Sequence, residues 1–189
     1  KGYAYARIPY EIAGFEDLIL DPKNSITFNW ELHESLIAKS NQIGGDGKLM
    51  MGSDGEVLLV SLAEKLLVPA LAKLSNLVPG GGIWLNTQRP EWNDANNALA
   101  GWGLSMVTVC YLRRYLAFLD EVFSDREVEV TPPVARLLNS LTEALRETEG
   151  EPASDEARFA QMEKLMRVGA EYRKAVYIGA IEGVEKVSP

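Results

Sequence analysis

Little in this chain is suited to thiol, metal or nucleic-acid chemistry. The 189 residues include one cysteine, Cys110, and one histidine, His33. A single cysteine excludes an internal disulfide framework and fits a reducing compartment, so a cytoplasmic location is expected. No second His or Cys stands at helical spacing from His33, so no zinc site and no metal are expected. No His or Asn partner stands out to activate Cys110, which reads as a core residue. Positive charge is also short: 19 Lys and Arg face 27 Asp and Glu, a net charge of -8. Phosphate binding needs clustered cations, which argues against a nucleic-acid partner. The longest apolar run, within residues 98–112, is short for a bilayer, contains Gly101 and Gly103, and is followed by Arg113 and Arg114. It reads as a buried helix, and no membrane partner is expected. The first residues, KGYAYARIPYE, lack the apolar core of a signal peptide. Residues 44–55 hold glycines and a lysine without the Gly-Lys-Ser/Thr of a phosphate loop, and Asp46 and Asp54 do not make a calcium loop. Strand alternation is missing beyond short pieces such as residues 83–85, and no internal repeat is found.

What is present is helical period. Residues 1–24, punctuated by Pro9, Gly14 and Pro22, read as an extended arm held on the body by Tyr3, Tyr5, Tyr10 and Phe15, or alternatively as a loop lining a ligand groove. Residues 25–189 read as a helical domain. Ser25 or Thr27 can cap a helix over 28–42. Asp54 can cap an apolar helix over 56–77, in which Pro69 predicts a kink or a division into two helices. A further helix is predicted from 96 or 101 to 123, apolar on nearly all sides and therefore deeply buried. Thr131, followed by Pro132 and Pro133, opens an amphipathic helix to about 148. Ser154, with Asp155 and Glu156 at the positive helix end, opens a last helix to about 184. The fold class expected is all-α, helical hairpins joined by loops.

One stretch is chosen for chemistry rather than packing. Residues 80–103, GGGIWLNTQRPEWNDANNALAGWG, gather Trp84 and Trp92 with Arg89, Glu91, Asn93, Asp94, Asn96 and Asn97. Cleavage of a glycosidic bond needs a carboxylic acid to protonate the leaving oxygen; a hydrolase adds a second carboxylate as base or nucleophile. Sugars also need aromatic faces and paired donors and acceptors. Trp84 and Trp92 can supply the first, and Gln88, Arg89, Asn93, Asn96 and Asn97 the second. Glu91 and Asp94 supply acids. The same residue types can also do no more than cap a helix and pair with one another, with Asp94 as an N-cap.

The order of these residues, Glu91-Trp92-Asn93-Asp94-Ala95-Asn96-Asn97, resembles the Asp-Trp-Asn-Asp-Gly-Met-Asn motif of the cellobiose phosphorylase-like enzymes, a branch of the glycosidases and phosphorylases built on an (α/α)6 toroid. The resemblance covers residues 82–112. It implies an incomplete (α/α)6 toroid, because twelve helices need far more than 189 residues; the chain is expected to be part of a larger catalytic protein whose remaining segments are its partners. It implies Asp94 as the general acid, with Arg89, Glu91, Trp92, Asn93 and Asn97 binding an oligosaccharide or glycoside. No cofactor is implied beyond inorganic phosphate as co-substrate, and the reaction is hydrolysis or phosphorolysis. Glu91 stands where the family has aspartate, and Ala95-Asn96 where it has Gly-Met. The competing expectation is a non-catalytic helical module that binds glycans or another protein.

Overall fold

The computed structural model describes residues 2–86, 100–124, 126–147, 154–179 and 181–189. The chain opens with a hairpin-like pair: β1 (Tyr10–Ile12) lies antiparallel to β2 (Ile26–Phe28), with Tyr10 opposite Phe28 and Ile12 opposite Ile26. Between them sits the short α1 (Phe15–Leu20). The following α2 (Trp30–Ile43) is capped by Asn29, whose side chain accepts from the Leu32 amide at 2.9 Å. Ser25 and Thr27, the caps expected from sequence, lie earlier: Thr27 belongs to β2, and strand pairing moves the helix start two residues on. The Asn29 amide group in turn donates to Glu11 Oε1. A 3-10 turn, Gly44–Lys48, ends this unit.

Next comes α3 (Leu62–Leu74), shorter at its start than the predicted helix. Residues 56–61 are drawn off as extended chain: Val57 bridges to Met51, and Val60 exchanges backbone hydrogen bonds with Tyr3. Ser61, not Asp54, is therefore the cap. The helix runs unbroken through Pro69. Proline removes one internal hydrogen bond, but Leu67, Ala70 and Leu71 around it are buried, and that packing holds the helix together. A three-stranded antiparallel sheet follows in the order β3 (Leu77–Val78), β4 (Gly82–Trp84), β5 (Leu104–Ser105). From β5 the chain enters α4 (Met106–Phe123), capped by Ser105. Then β6 (Val128–Val130), α5 (Pro132–Arg146), α6 (Asp155–Ile178) and β7 (Glu185–Val187) complete the order.

The main core lies where α3, α4, α5 and α6 meet. Leu67, Leu71, Ile83, Leu112, Leu119, Leu137, Leu141 and Leu165 are buried together there. The α5 sequence is amphipathic, and Val134, Leu137 and Leu141 of its apolar stripe are among the most buried side chains. Ser154 caps α6 as expected, accepting from the Ala157 amide. The helix ends at Ile178 rather than near 184, because Gly179 adopts a left-handed conformation at φ 77°; the chain then returns as β7 to pair with β6, Val128 opposite Val187.

The expectation of an all-α chain, helical hairpins of an incomplete (α/α)6 toroid, is overturned. Among the described residues six α-helices are accompanied by seven short strands in three small antiparallel sheets, so the fold is mixed α/β. The strands escape sequence reading for a physical reason. Each is two or three residues long, too short to display alternation. Two of the sheets pair segments 14 or more residues apart, as Ile12 with Ile26 and Val128 with Val187 show.

One helix departs from its expected burial. The sequence of α4 is apolar on nearly every side, which predicts an enclosed helix. Only Leu112, Leu119 and Phe123 are buried, on one side. Cys110, expected in the core, is exposed, as are Val107, Tyr111 and Phe118. The apolar composition is real, but among the described residues only one face of the helix has packing partners.

Candidate functional site

The sheet β3–β4–β5 is the base from which the chemically distinctive stretch departs and to which it returns. Gly82 reaches φ 156°, where an added Cβ would lie 3.1 Å from the Ser105 carbonyl carbon, so the close pairing of β4 with β5 needs glycine there. Ile83 and Trp84 are buried in β4. Past the strand the two chain ends stay joined. The Leu85 amide donates to the Gly103 carbonyl at 3.1 Å, and the Gly101 amide donates to the Leu85 carbonyl at 2.7 Å. The Trp84 indole Nε1 donates to the Gly101 carbonyl at 3.2 Å. Gly101 has φ 83°, and a Cβ on it would meet the Pro22 carbonyl oxygen at 2.6 Å, so the returning strand is seated directly on the N-terminal arm.

Below this junction is a small polar layer. Asn86 is buried and donates to Asn76 Oδ1 at 3.3 Å. Asn76 is itself buried, donates from Nδ2 to the Ala72 carbonyl, and its own carbonyl accepts from the Trp84 amide at 2.8 Å. Ser75 packs against Gly169 of α6, where even a methyl group would come within 2.5 Å of the hydroxyl. Asn86, just past β4, is thus tied to the end of α3 and through it to α6. Buried polar groups satisfied in this way hold one geometry, since any shift leaves a donor unpaired.

The expected site residues Arg89, Glu91, Trp92, Asn93, Asp94 and Asn97, with Gln88 and Asn96, lie outside the described residues. Trp84 is described, and it does not serve as the sugar-stacking face expected of it. Its ring is enclosed with Phe15, Leu18 and Met166, and its one polar atom is committed to the Gly101 carbonyl. A buried tryptophan with its N–H bonded is a packing anchor.

Phe15 of this cluster, with Ile12, Ala13 and Ala170 packed against it, also lines a cleft, the alternative expected for the N-terminal arm. Its volume is about 610 Å³, within the range of small-molecule sites. One wall is the arm from Glu11 to Glu16; the other is the face of α6 carrying Arg167, Glu171, Arg173, Lys174 and Tyr177. The arm is latched there. Arg7 donates to the Val176 carbonyl at 2.9 Å and to the Tyr177 carbonyl, and the Ile12 amide donates to the Tyr177 hydroxyl at 2.9 Å. Arg167 pairs with Glu16 and Glu163, and the Arg167 bond holds the Glu16 carboxyl below its usual range. Arg173 is different: burial lowers the pKa of its guanidinium, and its Nε is enclosed without a hydrogen-bond partner among the described residues. No sequence signal distinguishes Arg173 from the other cations of α6, because its burial is set by tertiary packing.

A second ionisable centre lies away from the cleft. Glu64, in the first turn of α3, is almost fully buried. Its carboxylate accepts from the Thr131 amide at 2.6 Å and the Thr131 hydroxyl at 3.1 Å, and so satisfies the start of α5 from another helix. Thr131, expected to cap α5 with its own side chain, uses it on Glu64 instead. Burial raises the Glu64 pKa against those hydrogen bonds. The nearby Tyr172 phenol is pushed up to about 12 by burial and by the Glu64 charge, and the enclosed Tyr5 phenol is raised for the same two reasons. Glu64 has the environment of a structural carboxylate, closed off from solvent.

Among the described residues no three His, Cys, Asp or Glu side chains converge as a metal site. No helix of the described residues is long and apolar enough to cross a membrane. No protein-family model matches the chain, and no curated protein matches it.

Proposed function

We propose that this chain is part of a carbohydrate-active enzyme that cleaves a glycosidic bond by hydrolysis or phosphorolysis, with Asp94 as the general acid. The observation that carries the proposal is the junction that brackets residues 87–99. Its two ends are bonded side by side through Leu85, Gly101 and Gly103, anchored by the buried Trp84 ring, and seated on α3 and the N-terminal arm. General acid catalysis gains its rate from holding the proton donor within hydrogen-bond reach of the leaving oxygen. A segment rich in Asp, Asn, Arg and Trp, rooted in so constrained a base, fits that demand. Arg89, Glu91, Asn93 and Asn97 bind sugar hydroxyls, and Trp92 packs on a ring face.

The adjoining cleft supports the same substrate class. Phe15 is common to it and the anchoring cluster around Trp84, and its walls offer carboxylates, guanidinium groups and a phenol, groups that suit a hydroxyl-rich ligand. Further segments of the same polypeptide complete the site, including any hydrolytic base; with phosphate as co-substrate no such base is needed. A cytoplasmic location goes with the single thiol. The outward apolar face of α4 favours a second reading, a non-catalytic module that binds another protein.

The test is release of the leaving group from a panel of aryl glycosides by the intact protein, with and without inorganic phosphate. The wild type is expected to turn over at least one of them. Asp94→Asn is expected to lower turnover by about 10²–10⁴-fold, the usual contribution of a general acid, with an unchanged unfolding midpoint. Activity equal to wild type in the Asn variant, or no cleavage by the wild type under either condition, rejects the assignment.

A further inference from the structure

We infer that the cleft between the N-terminal arm and α6 is a binding site for a small monocarboxylate, whose carboxylate group is held by Arg173 and the Tyr177 hydroxyl. The inference does not rest on Asp94 or on glycosidic chemistry, and its failure would leave the Asp94 assignment standing.

The site is defined by donors that lack acceptors. A guanidinium carries only donors. Arg173 lines the cleft, and no hydrogen bond or ion pair of its side chain is found among the described residues. Its Nε is closed off from solvent. A cation so placed is costly unless an anion meets it. Tyr177, one turn further along α6, is close enough to act on the Arg173 charge. The Tyr177 hydroxyl oxygen accepts from the Ile12 amide at 2.9 Å, which fixes the phenol against the arm. Its proton is left to donate, and no acceptor for it is found among the described residues. Lys174 also lines the cleft, exposed and without an ion pair among the described residues.

Charge narrows the ligand. Arg167 is already paired with Glu16 and Glu163. Arg173 and Lys174 are then the cations of the cleft open to a ligand, and Glu11 and Glu171 line the same space. Glu11 accepts from the Asn29 amide group at 3.0 Å, a neutral donor that leaves its negative charge in place. A guanidinium fork matches a carboxylate or a phosphate. A phosphate monoester, dianionic near neutral pH, would be repelled by both glutamates, whereas a carboxylate brings a single charge and lies flat against the fork. The cleft, about 610 Å³, has room for a ring-sized body, and Ile12, Ala13 and Ala170 offer it apolar surface beside the charged groups.

The test is a titration of the full chain followed by NMR through the arginine Nε–H resonances. The Arg173 signal is the one missing from Arg173→Lys. The probes are benzoate, glucuronate, the neutral isostere benzamide, and phenyl phosphate. At least one of the two carboxylates is expected to shift the Arg173 signal with a Kd of about 1 mM or tighter, the range of a small fragment in a preformed site. Benzamide should leave the signal in place, and phenyl phosphate should bind more weakly than the better carboxylate. Arg173→Gln is expected to weaken carboxylate binding at least about tenfold, read from the ligand's own resonances. Lys174→Glu, at an exposed position that the fold tolerates, should weaken it at least about threefold through repulsion. The inference is overturned if neither carboxylate moves the Arg173 signal, or if benzamide binds as tightly as the better carboxylate. It is also overturned by tighter binding of phenyl phosphate, or by carboxylate affinity unchanged in Arg173→Gln or in Lys174→Glu.

Discussion

Replacing Glu64 tests how two helices are joined through one buried carboxylate. Glu64→Ala removes both acceptors facing Thr131, whose amide and hydroxyl are then left inside the protein. Thr131 is only 3% exposed, so water does not substitute for the lost partner. A buried donor without a partner costs about 1–3 kcal/mol, and two of them together with the lost packing predict a loss of about 3–5 kcal/mol. Glu64→Gln keeps one acceptor for the Thr131 amide, and the Thr131 hydroxyl can rotate to accept from the new amide group. The expected cost at low pH is about 1 kcal/mol.

The pH dependence separates charge from shape. Burial holds the Glu64 pKa above its ordinary value in the folded chain. The folded protein therefore binds this proton more tightly than the unfolded chain does. The corresponding stability is fully present below the unfolded-state value, and it is lost as the pH rises through the folded-state pKa. The Gln variant has no such proton, so it should gain on the wild type across that window. Urea unfolding of wild type, Glu64→Gln and Glu64→Ala at a series of pH values measures the differences. Parallel pH profiles for wild type and Glu64→Gln would refute the electrostatic argument. A loss under about 1 kcal/mol in Glu64→Ala would refute the claim that Thr131 depends on this carboxylate.

Two further outcomes follow from local geometry. Gly101→Ala forces a Cβ against the Pro22 carbonyl oxygen at 2.6 Å and the Lys23 Cα at 2.9 Å, at a residue whose φ is 83°. It should cost about 2–4 kcal/mol in urea unfolding through strain and backbone displacement, and a loss within about 0.5 kcal/mol would mean that the stem is not seated on the arm. Leu165→Ala, at a side chain with no exposed surface, should cost about 2–5 kcal/mol. Phe159→Ala on the same helix, where the ring is half exposed, should cost clearly less in the same urea unfolding measurement, and equal losses would contradict the burial of α6 described above.

The helices were legible because their signals are local. Thr131-Pro132-Pro133 followed by Val134, Leu137 and Leu141 marks the start and the buried stripe of α5 without reference to anything else in the chain. Ser154 with two acidic residues behind it marks α6 in the same way. Ser61 and Asn29 were missed as caps because neighbouring residues were claimed by strands, and a strand of three residues is stable only through a partner elsewhere. Val128–Val130 has no identity as β structure until Glu185–Val187 returns beside it.

For the site, residue types in sequence were enough to single out 80–103 as chemically distinctive, and the resemblance to a known motif selected Asp94 within it; both rest on side-chain chemistry and order. Tertiary structure decided which of the nearby groups are available. Trp84 and Trp92 look alike in sequence, yet the Trp84 ring belongs to a buried cluster with Phe15, Leu18 and Met166. Cys110 and Leu112 are both apolar positions of one helix, and the packing of α3 and β4 against a single side buries the second and leaves the first in solvent. Hydrophobicity states that a side chain gains by leaving water. Which side chains do so depends on where the covering surfaces lie, and those come from parts of the chain distant in sequence.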